Sequence, residues 1–262
     1  MTELASGKLR LDEPVAGVAR LTINNPQRRG ALDHELLDAL AGILGTLDAR
    51  CLVIRGTGAV FSAGYDLGNL HGREFEESAE KLVAHPFHDA IEALEGFAYP
   101  VVGQLNGHTI GGGLELALTC DIRVAAHGVK LGMPPAKLGL IYSHTGLQKF
   151  VEVCGAANTA ELFYVGRNVD AERAQAMGLV NRVVEADELE RTVLDLAGEI
   201  AANAPLSLTG NKRVLRALRA QPLPKDVERE LIELRESCFR TEDFREGVQA
   251  FAEKRRPVWR GR

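Results

Sequence analysis

The segment that most constrains the fold is Pro100 to Ala126, "PVVGQLNGHTIGGGLELALTCDIRVAA". Its ends read as buried strands, and between them three consecutive glycines, Gly111 to Gly113, run into a strongly helix-forming stretch with Glu115 near its start. A strand, a helix and a second strand in so short a passage predict a crossover unit. The same grammar precedes it. "VARLTINNP" alternates like a half-buried strand, "ALDHELLDALAGILGTL" has helical spacing with Asp33 as its cap, and "CLVIRG" is a buried strand ending in glycine. The spacing predicts an α/β architecture in which strand ends and helix starts collect on one side, where a site belongs. From about residue 185 the pattern changes to amphipathic helices separated by Pro205, Pro222 and Pro224. Such helices either close the domain or pack against a neighbouring subunit.

Composition narrows the function. A chain of 262 residues, 45% hydrophobic, buries a large core, and a net charge of -5 with mixed signs leaves no basic face for nucleic acid. Cys51, Cys120, Cys154 and Cys238 stand singly in apolar surroundings, without a C-x-x-C pair or a histidine at ligand spacing. They read as buried reduced thiols, which fits a reducing, cytoplasmic location, and no metal is assigned. The start "MTELASGKLR" lacks an apolar signal core, and no window approaches the run of about 20 apolar residues that a membrane span requires.

A helix N-terminus carries unpaired N–H groups and partial positive charge, and glycine lets another group approach that backbone closely. "GGG" also satisfies a tight strand-to-helix turn with no ligand at all. Dinucleotide binding is not indicated, since neither G-x-G-x-x-G nor G-x-x-x-x-G-K-S/T spacing is present. A second turn, "VFSAGYDLGNL", leaves the strand "CLVIRG"; Val60 stands where a G-x-S-x-G elbow needs glycine, so Ser62 is not a nucleophile by that signature. Two glycine-bearing turns remain, able to aim backbone amides at a shared oxygen as an oxyanion hole.

At these residues the sequence resembles the crotonase, or enoyl-CoA hydratase/isomerase, superfamily. "NNPQRRGALDHELLDAL", "CLVIRGTGAVFSAGYDL", "GQLNGHTIGGGLELALTCDIRVA", "LGLI", "AQAMGLVNRVV" and "EGVQAFAEKRRP" carry the likeness along nearly the whole chain. The resemblance implies a spiral of repeated β-β-α units over residues 1–200. It also implies a C-terminal helical region, 201–262, that builds homotrimers, often paired as hexamers. No permanently bound cofactor is implied; coenzyme A is part of the substrate, an acyl-CoA thioester. The family's two oxyanion donors correspond to the backbone N–H groups of Tyr65 and Gly112. Ala63, Asp66 and Leu67 would meet the adenine and pantetheine parts of coenzyme A, and Gly111 shapes the turn beside it. Phe251 and Lys254 look like the family's C-terminal coenzyme A contacts, commonly supplied by an adjacent subunit; in isolation Lys254 is a solvated charge.

On a helix, Glu115 shares a face with Gly112 and can reach the carbon beside the thioester carbonyl. A hydratase of the family adds a second glutamate before "LG", where this chain has Pro135 in "MPPAKLG". That departure, with "LGLIYSHTG", resembles the methylmalonyl-CoA decarboxylase branch. There a tyrosine at the place of Tyr142 contacts the departing carboxylate, and a histidine stands where this chain has Tyr65. Read alone, Tyr142 is as well explained as a packed ring with a wet hydroxyl, and His144 as a loop histidine, since "YSHTG" supplies no orienting carboxylate. The resemblance implies decarboxylation of a short 2-carboxyacyl-CoA. The alternative is an enoyl-CoA hydratase or isomerase with Glu115 as its single acid/base, and a third reading is a non-catalytic binding protein of the same fold.

Overall fold

The structure, a computed structural model, describes residues 1–66, 86–219, 225–258 and 260. β1 (Thr2–Leu4), β2 (Leu9–Val15) and β3 (Val18–Ile23) are antiparallel neighbours. Asp33 then starts α1 (His34–Leu44) by accepting a 3.0 Å hydrogen bond from the amide of Leu36, satisfying a donor that the first helical turn leaves unpaired. Leu36, Leu37, Leu40 and Leu44 form the stripe that α1 buries.

The expected spiral follows. β4 (Cys51–Gly56) and β5 (Val60–Ser62) lead to α2 (Pro86–Gly96), β6 (Val101–Leu105) and β7 (His108–Ile110) to α3 (Gly112–Thr119). β8 (Ile122–Ala126) and β9 (Lys130–Gly132) lead through a 3-10 turn at Pro135–Leu138 to α4 (His144–Ala160). In each unit the first strand joins one sheet and the second joins another. Thus β4, β6 and β8 are parallel neighbours, paired Leu52 with Val101 and Val102 with Ile122. β5, β7 and β9 are parallel neighbours too, paired Val60 with His108 and Thr109 with Leu131.

β10 (Val169–Asp170) closes the small sheet, order β10-β9-β7-β5. After α5 (Ala171–Ala176), β11 (Arg182–Val184) completes the large one, order β1-β2-β3-β4-β6-β8-β11. α6 (Leu189–Ala202) covers the large sheet, packing on β4, β6 and β8. With helices on one side and the small sheet near β4, the central strands are apolar throughout: Cys51 to Ile54 and Val101, Val102 and Leu105 are all buried.

Three further helices end the chain, α7 (Pro205–Arg219), α8 (Lys225–Phe239) and α9 (Glu242–Ala252). Lys212 fixes α7 to the core. Its ammonium donates to the Tyr99 carbonyl and to Asp121 Oδ2, each at 2.8 Å, and Asp121 Oδ2 also accepts from Val101 N at 2.7 Å. Lys212→Met should cost about 2 kcal/mol, below the cost of breaking a fully buried pair because Asp121 keeps some solvent contact. Chemical denaturation would measure it, and an unchanged midpoint would remove Lys212 as the anchor.

Cys51, Cys120 and Cys154 are buried free thiols, and burial pushes the thiols of Cys51 and Cys120 up to about 12. The Cys238 side chain lies outside the described residues. Among the described residues no helix is long and apolar enough to cross a membrane.

Candidate functional site

Because β5, β7 and β9 are parallel, their C-terminal ends share one edge of the small sheet, and three turns meet there. The first carries Ala63 to Asp66, the second Gly111 and Gly112, the third Pro135 and, beyond it, Tyr142.

The first two turns touch. Gly64 has φ +89°, and a Cβ on it would lie 2.9 Å from Gly112 N and 3.0 Å from the Ile110 carbonyl oxygen, so only glycine lets the backbones approach this closely. Gly113 is seated just as tightly on β5, its absent Cβ lying 2.5 Å from Ser62 O. Ser62 itself is structural: fully buried, its hydroxyl donates to Gly30 O at 2.7 Å and accepts from Gly64 N at 3.1 Å.

The turns also orient their amides. Tyr65 forms a parallel bridge with Leu32, carried by Leu32 N to Gly64 O at 2.8 Å and Asp66 N to Leu32 O at 3.2 Å. In extended backbone that pattern directs Tyr65's own N–H to the opposite side of the strand. Gly112 is the first residue of α3, and Gly111 (φ 58°, ψ -129°) offers no capping side chain. Gly111 N donates to Gly132 O at 2.9 Å. Gly112 N–H has no backbone acceptor among the described residues and stands at the positive end of the helix.

Glu115, one turn further, has 4% of its surface exposed and is the only buried carboxylate among the described residues. Tyr142 O–H donates to its Oε2. Burial pushes the Glu115 carboxyl above its ordinary value, while Lys149 and the Tyr142 hydrogen bond pull it back. Lys149, on α4, donates to Thr119 Oγ1 at 2.8 Å and pairs with Glu95 of α2. Tyr142 is buried, and its phenol is held well above the usual tyrosine value by burial, by the Glu115 charge and by the nearby Tyr65.

Local sequence explains the placement of Tyr142. Ser143 caps α4 by accepting from Gly146 N at 3.1 Å, so the helix begins directly after the tyrosine. A Cβ at Gly146 would lie 2.6 Å from Tyr142 Cε1; the glycine makes room for the ring. Phe163 packs edge-on at 5.5 Å and is held by Phe150 at 5.0 Å. The Tyr65 ring meets Phe87 edge-on at 4.8 Å and lies over Gly112, where a Cβ would be 3.2 Å from Tyr65 Cζ.

The structure therefore brings Tyr65, Gly112, Glu115 and Tyr142 together, with Gly111 and Ala63 at the same turns. Asp66 is partly buried and pairs with Arg28 at 3.0 Å. Leu67 lies outside the described residues. Phe251, 68% exposed, and Lys254 stand at the end of α9, which packs on the Pro135–Leu138 turn and α8. Pro135 is buried in that turn and brings no second acid to the site. His144 faces Glu228 of α8 at 3.7 Å, a carboxylate that "YSHTG" by itself did not supply. No group of three or more His, Cys, Asp or Glu side chains suited to a metal ion occurs among the described residues.

Sequence reasoning used only the backbone of Tyr65 and passed over Lys149. Tyrosine at position 65, where the resembling branch has histidine, was the available signal. For Lys149 there was none, because its partners Thr119 and Glu95 lie 30 and 54 residues away.

Residues 13–262 match the family model described as enoyl-CoA hydratase/isomerase. The chain belongs to the enoyl-CoA hydratase/isomerase family, within the crotonase superfamily. It is 34% identical over 256 residues to the 2,3-dehydroadipyl-CoA hydratase of Escherichia coli (strain K12), covering 94% of this chain and 96% of that one. It is 30% identical over 252 residues to the methylmalonyl-CoA decarboxylase of the same organism, covering 93% and 95%. The crystal structure of a methylmalonyl-CoA decarboxylase superposes with a TM-score of 0.89 at 28% identity, covering 100% of both chains. This family member is accordingly an acyl-CoA enzyme of the crotonase superfamily.

Proposed function

We propose that this enzyme decarboxylates a short 2-carboxyacyl-CoA through an enolate whose oxygen is held by the N–H groups of Tyr65 and Gly112. The observation that carries the reading is Glu115 as the only buried carboxylate among the described residues, with Pro135 where a hydratase of the family has its second acid. The bond between C2 and the carboxylate breaks, its electron pair enters the enolate, carbon dioxide leaves, and C2 then takes a proton from the carboxyl of Glu115. Holding the breaking bond perpendicular to the thioester plane lets the electrons flow to the oxygen, and preformed amides stabilise it without reorganisation. A charged Glu115 would repel a substrate carboxylate, but burial favours its neutral form.

A second reading, an isomerase or hydratase with Glu115 as single acid/base, draws on the hydrogen bond from Tyr142, which supports the ionised carboxylate. Cytoplasmic assembly as a trimer or a pair of trimers belongs to the same proposal; Leu206 (88%), Leu215 (55%) and Leu218 (72%), exposed on α7, support it.

Incubation with methylmalonyl-CoA and, separately, with crotonyl-CoA, followed by mass, tests the choice. Propionyl-CoA from the first with negligible water addition to the second is expected. Fast hydration of crotonyl-CoA with methylmalonyl-CoA untouched would overturn the decarboxylase reading.

A further inference from the structure

Glu115 and Thr119 stand four residues apart on α3, so their side chains share one face of the helix. Thr119 is buried and points back along that face, its hydroxyl donating to the Glu115 carbonyl at 3.0 Å. The same hydroxyl oxygen accepts from Lys149 Nζ at 2.8 Å. α4 thereby delivers an ammonium to the last turn of α3, one turn beyond Glu115 and at the end of the helix where positive charge is favourable. The Lys149 side chain is 13% exposed, whereas its ion-pair partner Glu95, from α2, is 40% exposed. Of the two charges, the ammonium is therefore the less screened by water.

We propose that Lys149 is a positioning residue for proton transfer by Glu115, its ammonium, seated on Thr119 one turn away, serving as the counter-charge for the carboxylate that Glu115 becomes on giving its proton to C2. In that step the O–H bond of Glu115 breaks and leaves its electron pair on the carboxylate, while the enolate's pair forms the new C–H bond. The reverse step, removal of a hydrogen beside the thioester, starts from the same carboxylate. The inference rests on Glu115 as proton carrier, common to both readings above. The groups facing Glu115 are Lys149 of α4, Tyr142 just before that helix, and Glu95 and His88 of α2. Burial alone would keep Glu115 neutral, and a carboxyl that must lose and regain a proton needs an opposing charge. Among these groups Lys149 exerts the strongest pull toward the ionised form, and Glu95 opposes it.

Lys149→Met and Glu95→Gln break the same ion pair but remove charges of opposite sign. Two measurements apply: exchange of the hydrogens beside the thioester of propionyl-CoA in deuterium oxide, read by mass, and infrared titration of the Glu115 carboxyl, assigned by its loss in Glu115→Gln. Exchange needs ionised Glu115, so its rate climbs with pH through the carboxyl midpoint. In Lys149→Met the climb should move up by about one pH unit, making exchange roughly tenfold slower below the midpoint. In Glu95→Gln it should move down, and by less, because the more exposed carboxylate is better screened. The half-saturating thioester concentration should hold in both. Shifts in the same direction, or none, would reduce Lys149 to a brace between α2, α3 and α4 and overturn the role. If Lys149→Met does not fold, Glu95→Gln decides alone: a lowered climb supports the counter-charge, and an unmoved or raised one removes it. If the wild type exchanges no hydrogen, Glu115 as proton carrier fails, and the infrared midpoints decide whether Lys149 is its counter-charge: opposite shifts support it, unmoved midpoints remove it.

Discussion

Glu115→Gln is expected to reduce exchange of the hydrogens beside the thioester, and any isomerisation or hydration, by about 10²- to 10⁴-fold, the usual contribution of a positioned acid/base. The amide keeps the shape and can still accept from Tyr142 but takes up no proton. Loss of carbon dioxide, which needs no base for C–C cleavage, should fall far less, so the same variant separates the two readings; equal exchange in the variant and the wild type would end the acid/base role. A second measurement follows from burial. Because burial lies behind the raised Glu115 carboxyl, the folded state binds the proton more tightly than the unfolded chain. Its stabilising contribution is therefore complete below the ordinary carboxylate value and is lost as pH rises through the raised one. The stability difference, Glu115→Gln minus wild type, should grow as pH increases across that window. Paired thermal unfolding across the window checks the sign, and a difference that shrinks with pH would contradict it.

Gly113→Ala should damage the other half of the site. Its new methyl would lie 2.5 Å from Ser62 O and 2.6 Å from Ser62 Cβ. Ser62 cannot retreat, being fully buried and held to Gly30 O and Gly64 N. The start of α3 must shift instead, carrying Gly112 N–H away from Tyr65. Overpacking of this kind costs about 1–3 kcal/mol, and an ångström of misplacement in a reacting constellation costs about a hundredfold in rate. We expect turnover to fall by about two orders of magnitude, with the melting temperature lowered but folding intact. Full turnover at wild-type half-saturation would show that the turn tolerates a side chain and that Gly112 is not held as described.

Long, periodic segments were legible in the sequence. Asp33 caps α1, "CLVIRG" is β4 to the residue, and "DIRVAA" contains β8. These carry their own signal in spacing and caps. β5, β7 and β9 did not, because at three residues each they are too short for a period to be counted, and it is their pairing that makes the second sheet. The third contributor to the site, Tyr142, gave only an ambiguous signal; its burial depends on Gly146 beneath the ring and on Phe163 in the helical segment that continues α4.

By itself, then, the sequence determined which backbone could form the two glycine turns and that one carboxylate would follow the second, since glycine, helix propensity and caps act over a few residues. Only the tertiary structure decided that the ends of β5, β7 and β9 share an edge, that Tyr142 donates to Glu115, and that Lys149 faces the same carboxylate. The reason is physical: a hydrogen bond between buried groups depends on strand order and packing across tens of residues, and no local pattern encodes either.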